Sequence, residues 1–282
     1  MWIILLFTHL ICNTGYNTVL RHAASDRKLD PLFLSAIMST AIAAPAAVGI
    51  FITGIEWAAF SPKYILPYIA AGTIGILFHF LNAKALERTE ASVFSFLYNF
   101  RIGIVTVLGV IFLGEPLLPV SLAGGAMVFA AGFILMGKST ARPSGVMLSI
   151  STALMISVLN LLEKYLITGM GYTNYMFTVS IIEAIILWLI VIAGKRAVGK
   201  PFAEKKEIAT LMVFRSLSAY GFTLALAFGA YVSIGTYISA LICVTIPIAA
   251  VIFLKEKDSL RKKTIAGVIA LVGVTLVFVA TR

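Results

Sequence analysis

Residues Ile111-Phe112-Leu113-Gly114-Glu115 return later in the chain as Ile252-Phe253-Leu254-Lys255-Glu256, a separation of 141 residues (252 − 111) in a chain of 282. Each copy closes a long apolar segment. Each then leads, after a short polar loop, into another apolar segment with glycines in register, Gly132 and Gly273. A motif that recurs after half the length predicts a duplicated unit. In a membrane protein, the gap between two such units makes a binding site near the middle of the bilayer.

Composition makes the bilayer the solvent. Hydrophobic residues are 60% of the chain and charged residues only 12%, against roughly 25% charged in an average soluble domain. The formal net charge is +10, but the basic residues lie in short loops between apolar runs. They do not form the continuous patch that nucleic-acid binding requires, so no nucleic acid is expected as a partner. Cys12 and Cys243 both fall inside apolar segments, which suits packing rather than a disulfide framework. The first apolar run lacks a basic leader and exceeds the core of a signal peptide, so it reads as the first span.

Crossing a hydrocarbon core of about 30 Å takes roughly 17–25 apolar residues. Ten such runs are expected: 2–20, 32–54, 64–83, 92–113, 118–137, 144–167, 174–194, 207–230, 232–254 and 264–281. Each must be a helix, because lipid cannot satisfy an open strand. Residues 138–143, with Lys138, Ser139, Arg142 and Pro143, read as a linker between a first five-helix half, 1–137, and a second, 144–282. The expected fold class is therefore all-α and integral to the membrane. Seventeen of the 22 Lys and Arg fall in loops after the odd-numbered spans. The positive-inside rule puts those loops in the cytoplasm and both termini outside. The charge bias reverses phase between the halves, as it must if five spans invert the second copy.

The segment Ala83-Lys84-Ala85-Leu86-Glu87-Arg88-Thr89-Glu90-Ala91-Ser92, with the apolar helix ending Phe112-Leu113-Gly114-Glu115, resembles the EamA repeat of the drug/metabolite transporter superfamily. A second copy runs from Ala227-Phe228-Gly229-Ala230-Tyr231-Val232-Ser233 to Phe253-Leu254-Lys255-Glu256. The resemblance implies two inverted five-helix EamA-type repeats. It also implies a secondary transporter or exporter of small metabolites without an ATP site. It further implies a central cavity lined by the first four helices of each half. Many relatives carry an Arg in span two, where this chain has Met38, Ser39 and Thr40.

Charges within spans usually face a cavity or a partner. Arg101, in span four, shares a face with Phe94, Tyr98 and Val105. A cation beside aromatic rings suits a substrate with a carboxylate or other anionic end; the alternative is that Arg101 snorkels or caps backbone carbonyls. Glu183 and Arg215 lie at similar depth on the adjacent spans seven and eight. They read either as an ion pair gluing the helices or as a proton-coupling or gating site. His9, Asn13, Asn17 and Arg21 form a polar stripe at steps of four, answered in span six by Ser149, Thr152, Asn160 and Lys164. Such stripes line a chamber or serve as interhelical hydrogen-bond glue. His79 and Asn82 in span three and Tyr220 in span eight are further candidate lining residues, with Tyr237. Glu115 and Glu256 are expected to hold the turns that follow them.

No H-E-x-x-H, G-x-S-x-G or glycine-rich phosphate loop occurs, and Asp26, Asp30 and Asp258 are scattered in loops, which argues against a membrane enzyme. No metal and no cofactor is expected. A channel is the nearer alternative, but its repeated polar pore face is missing. The expected partners are a small-molecule substrate, the lipid bilayer and, in the coupling reading, protons.

Overall fold

The computed structural model describes residues 1–116, 119–136, 143–194, 205–253 and 260–280. The linker residues 138–142, most of the basic loop after span seven, Lys255 and Glu256 lie outside that set. Among the described residues the regular structure is helical throughout. The helices are α1 (Trp2–Arg21), α2 (Pro31–Thr53), α3 (Pro62–Arg88), α4 (Ala91–Tyr98), α5 (Arg101–Leu113), α6 (Pro119–Met136), α7 (Pro143–Met170), α8 (Tyr172–Ala193), α9 (Lys205–Ala227), α10 (Val232–Ser239), α11 (Ile242–Phe253) and α12 (Leu260–Ala280).

Local sequence explains the helix ends. Pro31 and Pro62 open α2 and α3 at first-turn positions where the missing N–H costs nothing. Asp30 caps α2 by accepting from the N–H groups of Leu32 at 2.8 Å and Phe33 at 3.3 Å. α1 continues into a single π-helical turn, His22–Asp26.

Among the described residues, eight segments are long and apolar enough to cross a membrane: Trp2–Asp26, Pro31–Thr53, Pro62–Arg88, Ala91–Leu113, Pro143–Met170, Tyr172–Ala193, Lys205–Ala227 and Val232–Phe253. The sequence pattern predicts ten. Within the other two expected spans, 118–137 and 264–281, the described residues include the shorter apolar stretches Leu122–Ala131 and Thr264–Leu276. The exterior is apolar, with Phe51 93% exposed and Leu66, Met147 and Phe253 also exposed, while Arg101, Glu183, His79 and Asn82 are buried. This inside-out distribution is that of an integral multi-pass membrane protein.

The helices pack in pairs. α1 lies along α9, α3 along α7, α2 along α8 and α6 along α12. The segments Ala91–Leu113 and Val232–Phe253 cross each other through α4 with α11 and α5 with α10. Both are broken in the middle, at Asn99-Phe100 and at Ala240-Leu241. The breaks are tightened turns in which Phe100 N–H donates to Leu97 and Leu241 N–H to Ile238. They fall 141 residues apart, and the side-chain amide of Asn99 donates to the carbonyl of Ala240 at 2.9 Å.

Glu115 does more than hold its own turn. Gly114 adopts a left-handed conformation (φ 65°), which folds the chain back and lets Glu115 N–H donate to Gly109. The Glu115 carboxylate, 6% exposed, then reaches α10. It accepts from Val232 N–H at 2.6 Å, from Ser233 N–H at 3.1 Å and from Ser233 Oγ at 2.5 Å. The recurring motif end of one broken segment thus caps the start of the other.

Candidate functional site

The polar residues of six spans converge on one chamber of about 70 Å³, room for roughly two waters. α1 supplies His9, Asn13, Tyr16 and Asn17, and α3 supplies Phe78, His79 and Asn82. Tyr98 and Arg101 come from either side of the α4–α5 break, and Asn160 and Glu163 from α7. α8 contributes Tyr175, Ser180 and Glu183, and α9 contributes Arg215, Phe222 and Thr223. α2 adds Ile42. Among the described residues, α6, α10, α11 and α12 give it no wall.

Arg101 opens α5 at mid-span and is 2% exposed. Its guanidinium carbon lies 4.4 Å from the centroid of the Tyr98 ring, and Nη1 donates to Tyr98 Oη at 3.4 Å. Nε and Nη2 have no hydrogen-bond partner. Tyr98 is held from behind by Phe94, stacked at 5.4 Å. Arg215 faces the rings of Tyr16 at 5.3 Å and Phe78 at 5.9 Å, and its Nε is also unpartnered. Buried donors without acceptors cost about 1–3 kcal/mol each, so both cations are set up for an acceptor that enters the chamber.

The opposing groups are carboxylates. Glu183 Oε2 lies 3.7 Å from His79 Nε2. The basic side chain beside it is therefore the imidazole of His79, and Arg215 stands beyond ion-pair distance. The carboxyl is lodged against α3 at Gly75, where an added Cβ would come 1.9 Å from Oε1. Glu163 faces the chamber from α7, with no hydrogen bond or ion pair among the described residues.

His9 donates through Nδ1 to the Ser218 carbonyl at 2.8 Å, because a carbonyl can only accept. Nε2, unpartnered, is thereby left as an acceptor toward the chamber. Asn17 donates to Asn13 O at 2.8 Å and Asn13 Oδ1 at 2.7 Å, and Asn82 donates to Tyr16 Oη.

Ten of the residues singled out in the sequence thus meet in one place: His9, Asn13, Asn17, His79, Asn82, Tyr98, Arg101, Asn160, Glu183 and Arg215. Two do not. Phe94 is fully buried behind Tyr98, and Tyr220 turns away to donate to the Ile42 carbonyl at 2.8 Å, in the stretch of α2 disturbed by Pro45. Tyr237 is elsewhere as well, bonded to Thr106 at 2.9 Å. Glu163, Tyr16, Tyr175, Ser180 and Thr223 were not predicted. Glu163 had a signal: it follows Asn160 by three residues, on the same helix face.

The EamA-like transporter family model matches residues 1–137. Over those residues, just under half of its length, the chain is similar to the EamA-like transporter family. That family lies in the drug/metabolite transporter superfamily and is one of transporters rather than enzymes. No curated protein matches the sequence significantly. A solved structure described as "Crystal structure of protein" is 17% identical, with a TM-score of 0.77 over 99% of this chain and 97% of that one; at this identity it establishes the fold. For this EamA-like chain, the chamber is the concave polar site that its helices jointly enclose.

Proposed function

We propose that the protein is a secondary transporter, an exporter or exchanger, of a small organic metabolite with an anionic end, such as an amino acid or an organic anion. The substrate site is the chamber, and access alternates between the two faces of the membrane. The repeats are 1–137 and 144–282, oppositely oriented, in the cell (inner) membrane with both termini outside. Glu183 couples transport to protons, and Arg215 takes part in gating.

The observation that carries this reading is the guanidinium of Arg101, buried at mid-span with two N–H groups lacking acceptors. A carboxylate that meets Nε and Nη2 side by side is the acceptor this geometry fits best. The inverted repeat is supported by the helix pairing. Exchanging the first span with the sixth and the third with the eighth turns the α1–α9 contact into the α7–α3 contact. The same exchange maps α2–α8 and α6–α12 onto themselves. Five spans per copy make the copies point oppositely.

A thermal-shift screen of the purified protein against anionic and zwitterionic metabolites tests the assignment, because a bound ligand raises the melting temperature by mass action. Arg101→Ala protein that melts like the wild type without ligand is expected to lose the shift. An equal shift in that variant overturns the assignment.

A further inference from the structure

On the outside of the bundle, α1, α9 and α11 enclose a groove of about 640 Å³, far larger than the chamber. Along α1 it runs from Ile11 to His22, about 16 Å at 1.5 Å per residue. That is one leaflet of a hydrocarbon core about 30 Å thick. Its walls include Ile11, Val19, Phe214 and Phe253. Two of the three threonine hydroxyls that line it are already satisfied. Thr14 donates to Leu10 O at 2.9 Å and pairs with Thr245 at 2.6 Å, and Thr18 donates to Thr14 O at 2.8 Å. Along α1 the groove therefore asks for no polar partner.

One end is different. There the groove meets Lys206 and Glu207 in the first turn of α9. Glu207 is compensated by Arg27, 3.4 Å away. Lys206 is exposed and, among the described residues, has no carboxylate within ion-pair distance. With Lys205 it places cations at the positive end of a helix, where they are locally unfavourable. This end also opens at the loops that hold most of the basic residues, the side that faces anionic lipid headgroups.

We propose that the groove seats one acyl chain of an anionic phospholipid whose phosphate meets Lys206. A dry channel of single-leaflet length ending in an uncompensated cation at headgroup depth has the two features such a lipid needs, and a neutral lipid would leave the cation unmatched.

Native mass spectrometry of the full chain in detergent, titrated with phosphatidylglycerol or with phosphatidylcholine, tests this. Phosphatidylglycerol is expected to bind about fivefold more tightly, the factor for roughly 1 kcal/mol per lysine at an anionic surface. Lys206→Gln should abolish that preference. Ala249→Phe, which fills the groove, should weaken both lipids. Unchanged melting temperatures show that both variants fold. Equal binding of the two lipids by the wild type, or a preference that survives both substitutions, overturns the proposal. So does a stable dimer that Ala249→Phe dissociates, which would assign the groove to a second copy of the chain.

Discussion

A single glycine decides where the chamber keeps its mid-span acid. Gly75 leaves the notch that receives the Glu183 carboxyl, so that α8 packs against α3 with His79 beside it. A methyl group there would overlap Oε1, and overpacking of this kind typically costs about 1–3 kcal/mol. Gly75→Ala is expected to lower the melting temperature by several degrees and, if the proposed coupling role of Glu183 holds, to alter the response of vesicle uptake to a pH gradient, because it displaces that carboxyl. Glu183→Gln, nearly isosteric, is expected to fold normally and to abolish the response of uptake to a pH gradient. Uptake by Glu183→Gln that still follows the gradient would remove Glu183 from coupling.

Much of the site was legible at this scale because apolar spans make every polar side chain conspicuous. His9, Asn13 and Asn17, at steps of four, could face only one way. Glu163 escaped for a physical reason. The apolar run was expected to end near residue 167, which makes Glu163 and Lys164 look interfacial, whereas α7 continues to Met170. Lys164 does behave as an end residue, donating to the Leu226 carbonyl at 2.8 Å. Its neighbour Glu163 points into the chamber instead. Aromatic residues were harder to place. Phe94 shares the Arg101 face by spacing yet serves as backing, since spacing fixes a direction but not which layer a ring occupies.

Among the elements, the broken pair α4–α5 and α10–α11 was not visible in hydropathy, because a break of two residues leaves an apolar run intact. Only the Glu115 motif hinted at it. The expectation that this glutamate holds its own turn missed the longer reach to Val232 and Ser233, a contact across 117 residues that no local pattern encodes. Glu115→Ala would strand the first N–H groups of α10 in a buried setting and is expected to cost about 1–2 kcal/mol, the range for a lost helix cap. Glu115→Gln, which keeps one acceptor oxygen, should lose less. Thermal unfolding in detergent distinguishes the two; equal stability of wild type and alanine variant would show that the cap is inert.

For the molecule as a whole, the connecting segments meet in pairs. Contacts place the ends after spans one and seven together through Arg27 and Glu207. Those after spans two and six meet through Glu56 N–H, which donates to Asn174 Oδ1 at 3.0 Å. The alternating-access proposal makes a prediction at this scale. A short cross-link between Cys replacements at Arg27 and Glu207 should arrest transport by fixing one face shut. Unimpaired flux in the cross-linked protein would contradict it.

In the proposed two-copy arrangement, the bond from Asn99 to Ala240 joins equivalent positions, 141 residues apart. A rocking motion that swaps the roles of the copies would tip about such a point as a seesaw tips about its fulcrum, and Arg101 stands two residues from it, where a cargo's grip would change least while the doors on either side trade places.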